Sequence, residues 1–377
     1  RSPDVADQLN PQDGFYTVTE RSGSGDSSRL VGAVKNVVVA ARDGAAVTAA
    51  LANASTRIVS FTVTEKGYCR AADGSLDPAM AGEGSFFAYL APALRQRHDT
   101  GLSGLALLSC DNLAENGRQL EALMEQYLER HDPALLGWFR AECACPSTMV
   151  DRIVPATADE GRTELANRIG LEDHGAVFTE PFSQWVIEDR FAGPRPRWEA
   201  VGAELVSDVR PYETAKLRML NGAHSLLAYC GLARGYTFVH QAIADPQLRT
   251  LAEGLMLNEA APTIATAPGQ DLATYAAALI ERFANPALNH RLIQIAMDGS
   301  QKIPQRWLDT LAVNQKAGRN CPATMAGITG WVEHLRGING PVDDPCADEL
   351  CKAALANSPL EALFGSNGLL ASNWRPH

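Results

Sequence analysis

The first 150 residues alternate β-rich runs with helical runs, and this alternation restricts the possible folds more than any other feature of the chain. The strand-like runs, rich in Val, Thr and Leu, cover residues 15–20, 34–41, 56–68 and 104–112. The helical runs cover residues 44–54, 85–98 and 116–131. Strands that alternate with helices predict a largely parallel sheet with helices packed against it.

Polar residues follow two of these predicted strands. In such sheets ligands bind beyond the carboxyl ends of the strands. The rim residues of the first strand are Thr62, Thr64, Glu65 and Lys66, and those of the second are Asp111 and Asn112. We therefore expect one edge of the sheet to carry a ligand site.

The pattern changes near Asp151. After one short strand-like piece at residues 185–189, long helical runs follow. They cover residues 211–230, 243–258, 271–284, 287–296, 304–315 and 322–336. The sequence predicts an α/β domain over residues 1–150 and a mainly α-helical domain over residues 151–377.

Composition excludes several classes of function. The 377 residues carry a net charge of −11 and are 46% hydrophobic, as in ordinary globular proteins. The acidic balance and the lack of a basic run argue against a nucleic-acid partner. No apolar run approaches the roughly 20 residues that span a bilayer, and no signal peptide opens the chain. The eight scattered cysteines favour reduced thiols and a cytoplasmic protein.

Two motifs point to less than they first suggest. The glycine-rich run at residues 23–28 lies between two strand-like runs, so it predicts a hairpin turn rather than a phosphate-binding loop, which needs a helix after it. The cysteines at positions 143 and 145, and the pair at 346 and 351, lack the paired spacing of a zinc site. We expect no metal.

The segment 211–225 carries the most concentrated chemistry. On an α-helix Glu213, Lys216, Asn221 and His224 would lie at about 60°, 0°, 140° and 80°, on one side. A base, an amide and an imidazole on one helix face suggest a catalytic site; the alternative is a solvated ion pair on a surface helix. Tyr212 and Lys216 also match the YxxxK spacing of short-chain dehydrogenases, but they fall outside the predicted α/β domain.

The pattern Lys216-LRML-Asn221-Gly222-Ala-His224 resembles the signature of the polyol-specific long-chain dehydrogenases, the mannitol dehydrogenase and fructuronate reductase family. The resemblance covers nearly the whole chain. Its further blocks are RSPDVADQLNPQDGFYTV, VSFTVTEKGYC, LLSCDNLAENG, TMVDRIVP, FSQWVIEDRF, RFANPAL and AMDGSQKIPQR. The resemblance implies a Rossmann-like N-terminal domain, here lacking its first β-α unit, and an α-helical C-terminal domain.

One departure concerns the cofactor. Family members begin with a strand and a GxGxFHRAH-type loop that holds the pyrophosphate, and this chain starts at Arg1 without them. Backbone amides at a helix N-terminus are the usual pyrophosphate cradle. Two expectations follow. Either further sequence precedes Arg1 in the native protein, or the chain is a catalytically incompetent remnant that acts only in binding.

The resemblance implies a metal-free hydride transfer at a secondary alcohol. By that resemblance Lys216 is the general acid/base, and its pKa must be lowered from its ordinary value to act near neutrality. Asn112 and Asn221 would stabilise the alkoxide from the two domains. His224 would orient substrate hydroxyls. Glu213 would relay protons, or form a simple salt bridge.

The remaining expectations concern ligands. Lys302 and Arg306 are expected to contact the substrate. Thr62, Thr64, Lys66, Asn112 and Asp151 are expected to border the cofactor, which is NAD, with NADP not excluded. The substrate is a small polyol, ketose or hexuronate, with fructuronate reduction favoured over mannitol oxidation. We expect no membrane partner and a monomer or weak homo-oligomer.

Overall fold

The computed structural model describes residues 4–376, apart from the side chain of Leu288, and it divides the chain into two compact units. Unit 1 covers the residues up to Arg21 and Gly25–Arg210, and unit 2 covers Ser22–Ser24 and the residues from Pro211 onward. The predicted boundary at residues 150/151 lies inside unit 1. The reason is strand pairing across that point, which the sequence pattern did not reveal.

Unit 1 contains eight short strands. They are β1 (Tyr16–Ser22), β2 (Gly25–Val31), β3 (Ile58–Phe61), β4 (Ala106–Ser109), β5 (Thr148–Asp151), β6 (Val177–Thr179), β7 (Gln184–Glu188) and β8 (Glu204–Val206). Their orders are β2-β1-β6, β3-β4 and β5-β7-β8. β1 with β6, β3 with β4 and β7 with β8 run parallel, whereas β5 and β7 run antiparallel. The antiparallel pair joins residue 148 to residue 187 and so holds both sides of position 151 in one sheet.

Within residues 4–209, seven α-helices accompany these strands. They are α1 (Asp4–Leu9), α2 (Gly44–Ala52), α3 (Thr64–Gly67), α4 (Phe86–Asp99), α5 (Asn116–His131), α6 (Leu136–Glu142) and α7 (Asp159–Ile169). The predicted alternation of strand and helix is confirmed for β3, α4, β4 and α5. Their apolar faces form one core in which Phe87, Leu107 and Leu120 are fully buried. α4 continues through Pro92, and buried Leu90 and Leu94 hold both sides of the proline in that core.

Two further predictions meet different outcomes. The glycine-rich run at residues 23–28 forms the turn and start of the β1–β2 hairpin, as predicted. The run at residues 34–41 is not a strand. Its backbone instead pairs with a side chain: the Asn10 amide donates to the Val37 carbonyl at 3.0 Å and accepts from the Val37 N–H at 3.1 Å. The Asn10 side chain thus satisfies the backbone N–H and carbonyl of Val37, which a neighbouring strand would pair with in a sheet.

Unit 2 is helical, and residues 211–376 contain no β-strand. Its α-helices are α8 (Arg210–Ala215), α9 (Gly222–Ala233), α10 (Val239–Ala244), α11 (Pro246–Gly254), α12 (Leu272–Phe283), α13 (Leu292–Ile295), α14 (Gly299–Ile303), α15 (Asp309–Lys316), α16 (Pro322–Leu335), α17 (Ala347–Ala354) and α18 (Pro359–Phe364). The predicted helix at residues 287–296 is reduced to α13, because Asn289 adopts a left-handed φ of 43° that an α-helix does not allow.

Three π-helical segments interrupt the α-helices of unit 2. They are Lys216–Asn221, Leu255–Ala260 and Pro304–Leu308. Each continues directly from an α-helix, and buried Met219, Met256 and Trp307 anchor them in the apolar core of unit 2. The π-helix is rare and is frequent at functional sites. These segments are therefore the first structural indication of where the chemistry of unit 2 lies.

Two properties of the described residues complete the fold. Within residues 4–376, each helix is too short or too polar to cross a membrane. None of the cysteines in the same range forms a disulfide.

Candidate active site

In unit 1, the carboxyl ends of β3 and β4 lie side by side. The parallel register sets Phe61 opposite Ser109, so the two turns that follow are neighbours. Thr62, Thr64 and Lys66 are exposed on the first turn, and Asn112 is exposed on the second. The structure thus gathers four of the five residues expected to border a cofactor at one edge of a parallel pair, where α/β proteins bind ligands.

The carboxylate of Asp111 joins these two turns. It accepts hydrogen bonds from the Val63 N–H at 3.0 Å and the Thr64 N–H at 2.9 Å. The hydroxyl of Tyr68 donates to the same carboxylate at 2.9 Å and lies 2.5 Å from the hydroxyl of Ser109. Burial raises the pKa of Tyr68 above its ordinary value, so its hydroxyl stays protonated and donates.

A buried amide, which the sequence analysis did not single out, ties the same edge to β5. The Asn116 side chain donates to the carbonyls of Asp111 and Thr148, each at 2.9 Å, and accepts from the Thr148 N–H at 2.9 Å. Sequence reasoning assigned Asn116 only as a helix start. Asp151, the fifth residue expected to border the cofactor, ends β5 and is 4% exposed.

In unit 2, the signature residues lie on a helix that changes type. Glu213 is on α8, Lys216 and Asn221 are the first and last residues of the π-helical segment, and His224 is in the first turn of α9. The Gly222 N–H donates to the Leu217 carbonyl five residues back. A π turn places residues five apart roughly above one another. Asn221 is therefore turned closer to Lys216 than the regular α-helix of the prediction allows.

Side chains from the Pro304–Leu308 segment hold the end of this π turn. The Arg306 guanidinium donates to the Asn221 carbonyl at 3.3 Å and to the Ser225 hydroxyl at 2.8 Å. The Trp307 indole N–H donates to the Gly222 carbonyl at 3.1 Å. A Cβ on Gly222 would lie 3.3 Å from Leu255, in the π-helical segment Leu255–Ala260. The three π-helical segments thus meet around Gly222.

His224 is 8% exposed and lies among rings and positive charges. Its ring centroid is 4.7 Å from that of Phe283 and 5.3 Å from that of His290. Burial lowers the pKa of His224 well below its ordinary value, and the charges of His290, Arg306 and Arg282 lower it further. The imidazole is therefore neutral near pH 7. A neutral imidazole has one donor and one acceptor nitrogen, so it can both donate hydrogen bonds to hydroxyl groups and accept them.

The two cations expected to bind substrate have protein partners as well. The Lys302 ammonium donates to the Met297 carbonyl at 2.5 Å and lies 3.8 Å from the Asp298 carboxylate. Burial and the charge of Arg306 lower its pKa, while Asp298 and Asp344 oppose that shift. Burial lowers the pKa of Arg306 to about 10. Both groups are thus partly desolvated cations near the signature helix.

His290 was missed by the sequence analysis. Its ring faces His224 edge-on, and its Nδ1 atom is buried without a hydrogen-bond partner. Burial lowers its pKa. The signal in the sequence was its position two residues after the RFANPAL block. Among residues 4–376 the structure offers no group of three or more His, Cys, Asp or Glu side chains that could hold a metal ion.

Comparison with known proteins identifies the family. Residues 2–200 match the mannitol dehydrogenase Rossmann domain, and residues 208–362 match the mannitol dehydrogenase C-terminal domain. The two matched regions meet near the division between units 1 and 2. The predicted combination of a Rossmann-like N-terminal domain with a helical C-terminal domain is confirmed.

Individual relatives agree with this assignment. D-mannonate oxidoreductase of Escherichia coli strain K12 is 40% identical, over 98% of this chain and 80% of the relative. A substrate-free D-sorbitol dehydrogenase is 31% identical with a TM-score of 0.91, and the match covers 98% of this chain and 80% of that one. Mannitol 2-dehydrogenase of Pseudomonas fluorescens, solved with NAD and D-mannitol, is 31% identical with a TM-score of 0.80 and the same coverage. The chain belongs to the mannitol dehydrogenase family of oxidoreductases.

Proposed function

We propose that this protein is an NAD-dependent secondary-alcohol dehydrogenase that interconverts an aldonate and its keto form, with D-mannonate and D-fructuronate as the pair. The general reaction follows from the family. The choice of an acid rather than a neutral polyol is supported by the identity to D-mannonate oxidoreductase, 40% against 37% for the mannitol 2-dehydrogenase of Phaeosphaeria nodorum.

The charge around the signature helix carries the choice of an acid. The positive charges of Arg306 and Arg282 lower the pKa of His224, and the charge of Arg306 also lowers the pKa of Lys302. Arg306 is partly desolvated and directly bonded to the signature helix. Positive charge in a partly buried site favours an anion far more than it does in water. A substrate carboxylate would gain from these cations, whereas a neutral hexitol would not.

The residues of the first unit suit a dinucleotide. The exposed hydroxyls of Thr62 and Thr64, the Lys66 ammonium and the Asn112 amide lie beyond adjacent parallel strand ends. Such groups are suited to the polar and anionic parts of NAD. When bound, NAD supplies a nicotinamide ring that exchanges a hydride with the substrate carbon.

The chain's own residues would manage the proton and the oxygen. In oxidation Lys216 takes the hydroxyl proton as the carbon gives up its hydride, and in reduction it returns that proton. The Asn221 amide would donate to the oxygen as negative charge develops on it. Neutral His224 positions a substrate hydroxyl. Glu213, half-buried one turn before Lys216, passes the proton toward solvent.

The test compares an acid with a neutral substrate in one assay. NADH oxidation is followed with D-fructuronate and with D-fructose, for the native chain and for Lys302→Gln. We expect faster turnover of fructuronate, and a KM for fructuronate that rises about tenfold in the variant, as loss of roughly 1.4 kcal/mol of binding requires. The KM for fructose should stay unchanged. Faster turnover of fructose by the native chain would favour the alternative, mannitol 2-dehydrogenase.

A further inference from the structure

Thr64 has a backbone conformation that its side chain disfavours. Its φ is 63°, in the left-handed region. A β-branched residue is a genuine outlier there, because its side chain crowds the backbone. Such conformations persist only where the surroundings impose them, and they cluster at ligand sites. Thr64 lies in the middle of the exposed turn of residues 62–66, so the surrounding contacts that impose this φ also shape the turn.

The contacts come from Asp111. Its two carboxylate oxygens accept the consecutive N–H groups of Val63 and Thr64, one each. The Thr64 N–H lies in the peptide plane that joins Val63 to Thr64, so its bond to Asp111 fixes one of the two planes between which the φ of Thr64 is measured, and the Val63 N–H bond fixes the approach of the preceding residue. Asp111 itself is fixed by the hydroxyl of Tyr68 on its side chain and by the buried amide of Asn116 on its carbonyl.

We propose that Asp111 is a positioning residue for cofactor binding: it holds Thr64 in the left-handed conformation and thereby presents the turn of residues 62–66 to NAD. This inference rests on the proposed NAD-dependent function and deepens it. Asp111 acts through the turn, and the cofactor contacts are made by Thr62, Thr64 and Lys66. Asp111 directly precedes Asn112, so the residue that holds the first turn is itself part of the second.

The test is a double-mutant cycle read by NADH binding. Dissociation constants are measured by NADH fluorescence for the native chain, Asp111→Asn, Thr64→Gly and the double variant. An Asn side chain keeps one acceptor oxygen and turns an NH₂ group toward the second N–H. We expect Asp111→Asn to weaken NADH binding by about tenfold, the effect of one lost charge-assisted hydrogen bond.

Glycine adopts positive φ without strain, so a glycine at position 64 no longer needs the Asp111 carboxylate to hold that conformation. Thr64→Gly alone removes a side chain assigned to cofactor binding, so it should itself weaken NADH binding; the quantity that tests the role of Asp111 is the further loss that Asp111→Asn causes on this background. In the double variant the loss caused by Asp111→Asn should shrink to about threefold or less, a coupling that a merely structural role would not produce. The matched control is Asp73→Asn, whose carboxylate also accepts a neighbouring N–H, that of Ser75, in an exposed turn; it should bind NADH as the native chain does.

Three outcomes are decisive. If Asp111→Asn causes a smaller loss of NADH affinity in the Thr64→Gly background than in the native chain, the positioning role of Asp111 is supported. Equal losses on both backgrounds, or native-like NADH binding by Asp111→Asn, overturn it while leaving the proposed function intact. If the native chain itself binds no NADH, the proposed function fails and the inference falls with it. Melting temperatures of all variants separate lost affinity from lost folding.

Discussion

The guanidinium of Arg306 is bonded to the backbone carbonyl of Asn221, at 3.3 Å, across the contact between two π-helical segments. The same group donates to the Ser225 hydroxyl at 2.8 Å. One side chain therefore holds the end of the π turn that carries the signature residues. Both bonds come from its Nη1 atom, whose two N–H groups are held in the guanidinium plane, whereas the ammonium of a lysine sits on a flexible stem and rotates freely.

Arg306→Lys should consequently lower kcat more than it raises KM. The positive charge remains for substrate, but at least one of the two bonds, to the Asn221 carbonyl or to the Ser225 hydroxyl, is lost. A hydrogen bond to a charged group contributes roughly 1.5–3 kcal/mol, so we predict a kcat about tenfold lower. Steady-state kinetics with D-fructuronate measure the split. The control is Arg336→Lys, which also removes a guanidinium bond to a carbonyl, that of Ala354, elsewhere in unit 2.

Lys216→Ala should abolish turnover while the fold and NADH binding persist. The proposed acid/base is lost, whereas a half-buried side chain at the start of the π-helical segment contributes little to the core. We expect activity to fall by at least about a hundredfold. Circular dichroism and NADH titration check the fold. Lys316→Ala, an exposed lysine on α15, is the control; retained activity in Lys216→Ala would refute the assignment.

Acid should destabilise the protein through His224. Its folded pKa lies well below the ordinary 6.5 because of burial, then of nearby positive charge. As pH falls through 6.5, the unfolded chain takes up a proton and the folded chain does not, so the free energy of unfolding falls. The loss is up to about 1.4 kcal/mol per pH unit for each such histidine. His224→Gln should flatten this dependence.

Urea unfolding at pH 7.5, 6.5 and 5.5 measures the effect. His290 and His334, whose pKa values burial also lowers, leave part of the slope in the variant. His174→Gln is the control, because that side chain is 62% exposed in unit 1. If the free energy of unfolding depends on pH equally in the native chain and in His224→Gln, the imidazole of His224 is not buried and neutral as described.

Glu259→Ala should unfold unit 2 at lower denaturant concentration. The Glu259 carboxylate is 2% exposed and accepts from the Ala323 N–H at 2.7 Å, the Thr324 N–H at 2.8 Å and the Thr324 hydroxyl at 2.6 Å. It thus satisfies the first donors of α16, the longest helix of unit 2. Removing it leaves buried N–H groups unpaired.

The predicted loss for Glu259→Ala is about 3 kcal/mol, and Glu259→Gln, which keeps one acceptor, should lose less. Guanidinium unfolding followed by tryptophan fluorescence reports on unit 2 through Trp307 and Trp331, which are buried there. Glu349→Ala, at an exposed position in the first turn of α17, should change stability by less than about 1 kcal/mol. A similar loss in both variants would contradict the role assigned to Glu259.

The sequence by itself determined the local and repetitive features. The alternation of apolar strands and amphipathic helices predicted β3, α4, β4 and α5, because each depends on the period of its own residues. The turn within residues 23–28 followed from the strand-like run before it, whereas the second strand of the hairpin was predicted at residues 34–41 and lies at Gly25–Val31. The signature around Lys216 and Asn221 identified the family, because that spacing is a property of contiguous sequence.

Only the tertiary structure decided what depends on residues far apart in the chain. The two units divide near residue 210 because β5 pairs with β7, whose residues lie 33 or more positions later in the chain. The π turn follows from Arg306 and Trp307, which hold carbonyls 85 residues earlier. The left-handed Thr64 follows from a carboxylate 47 residues later. No period or local propensity encodes such bonds, because each needs both segments folded to exist.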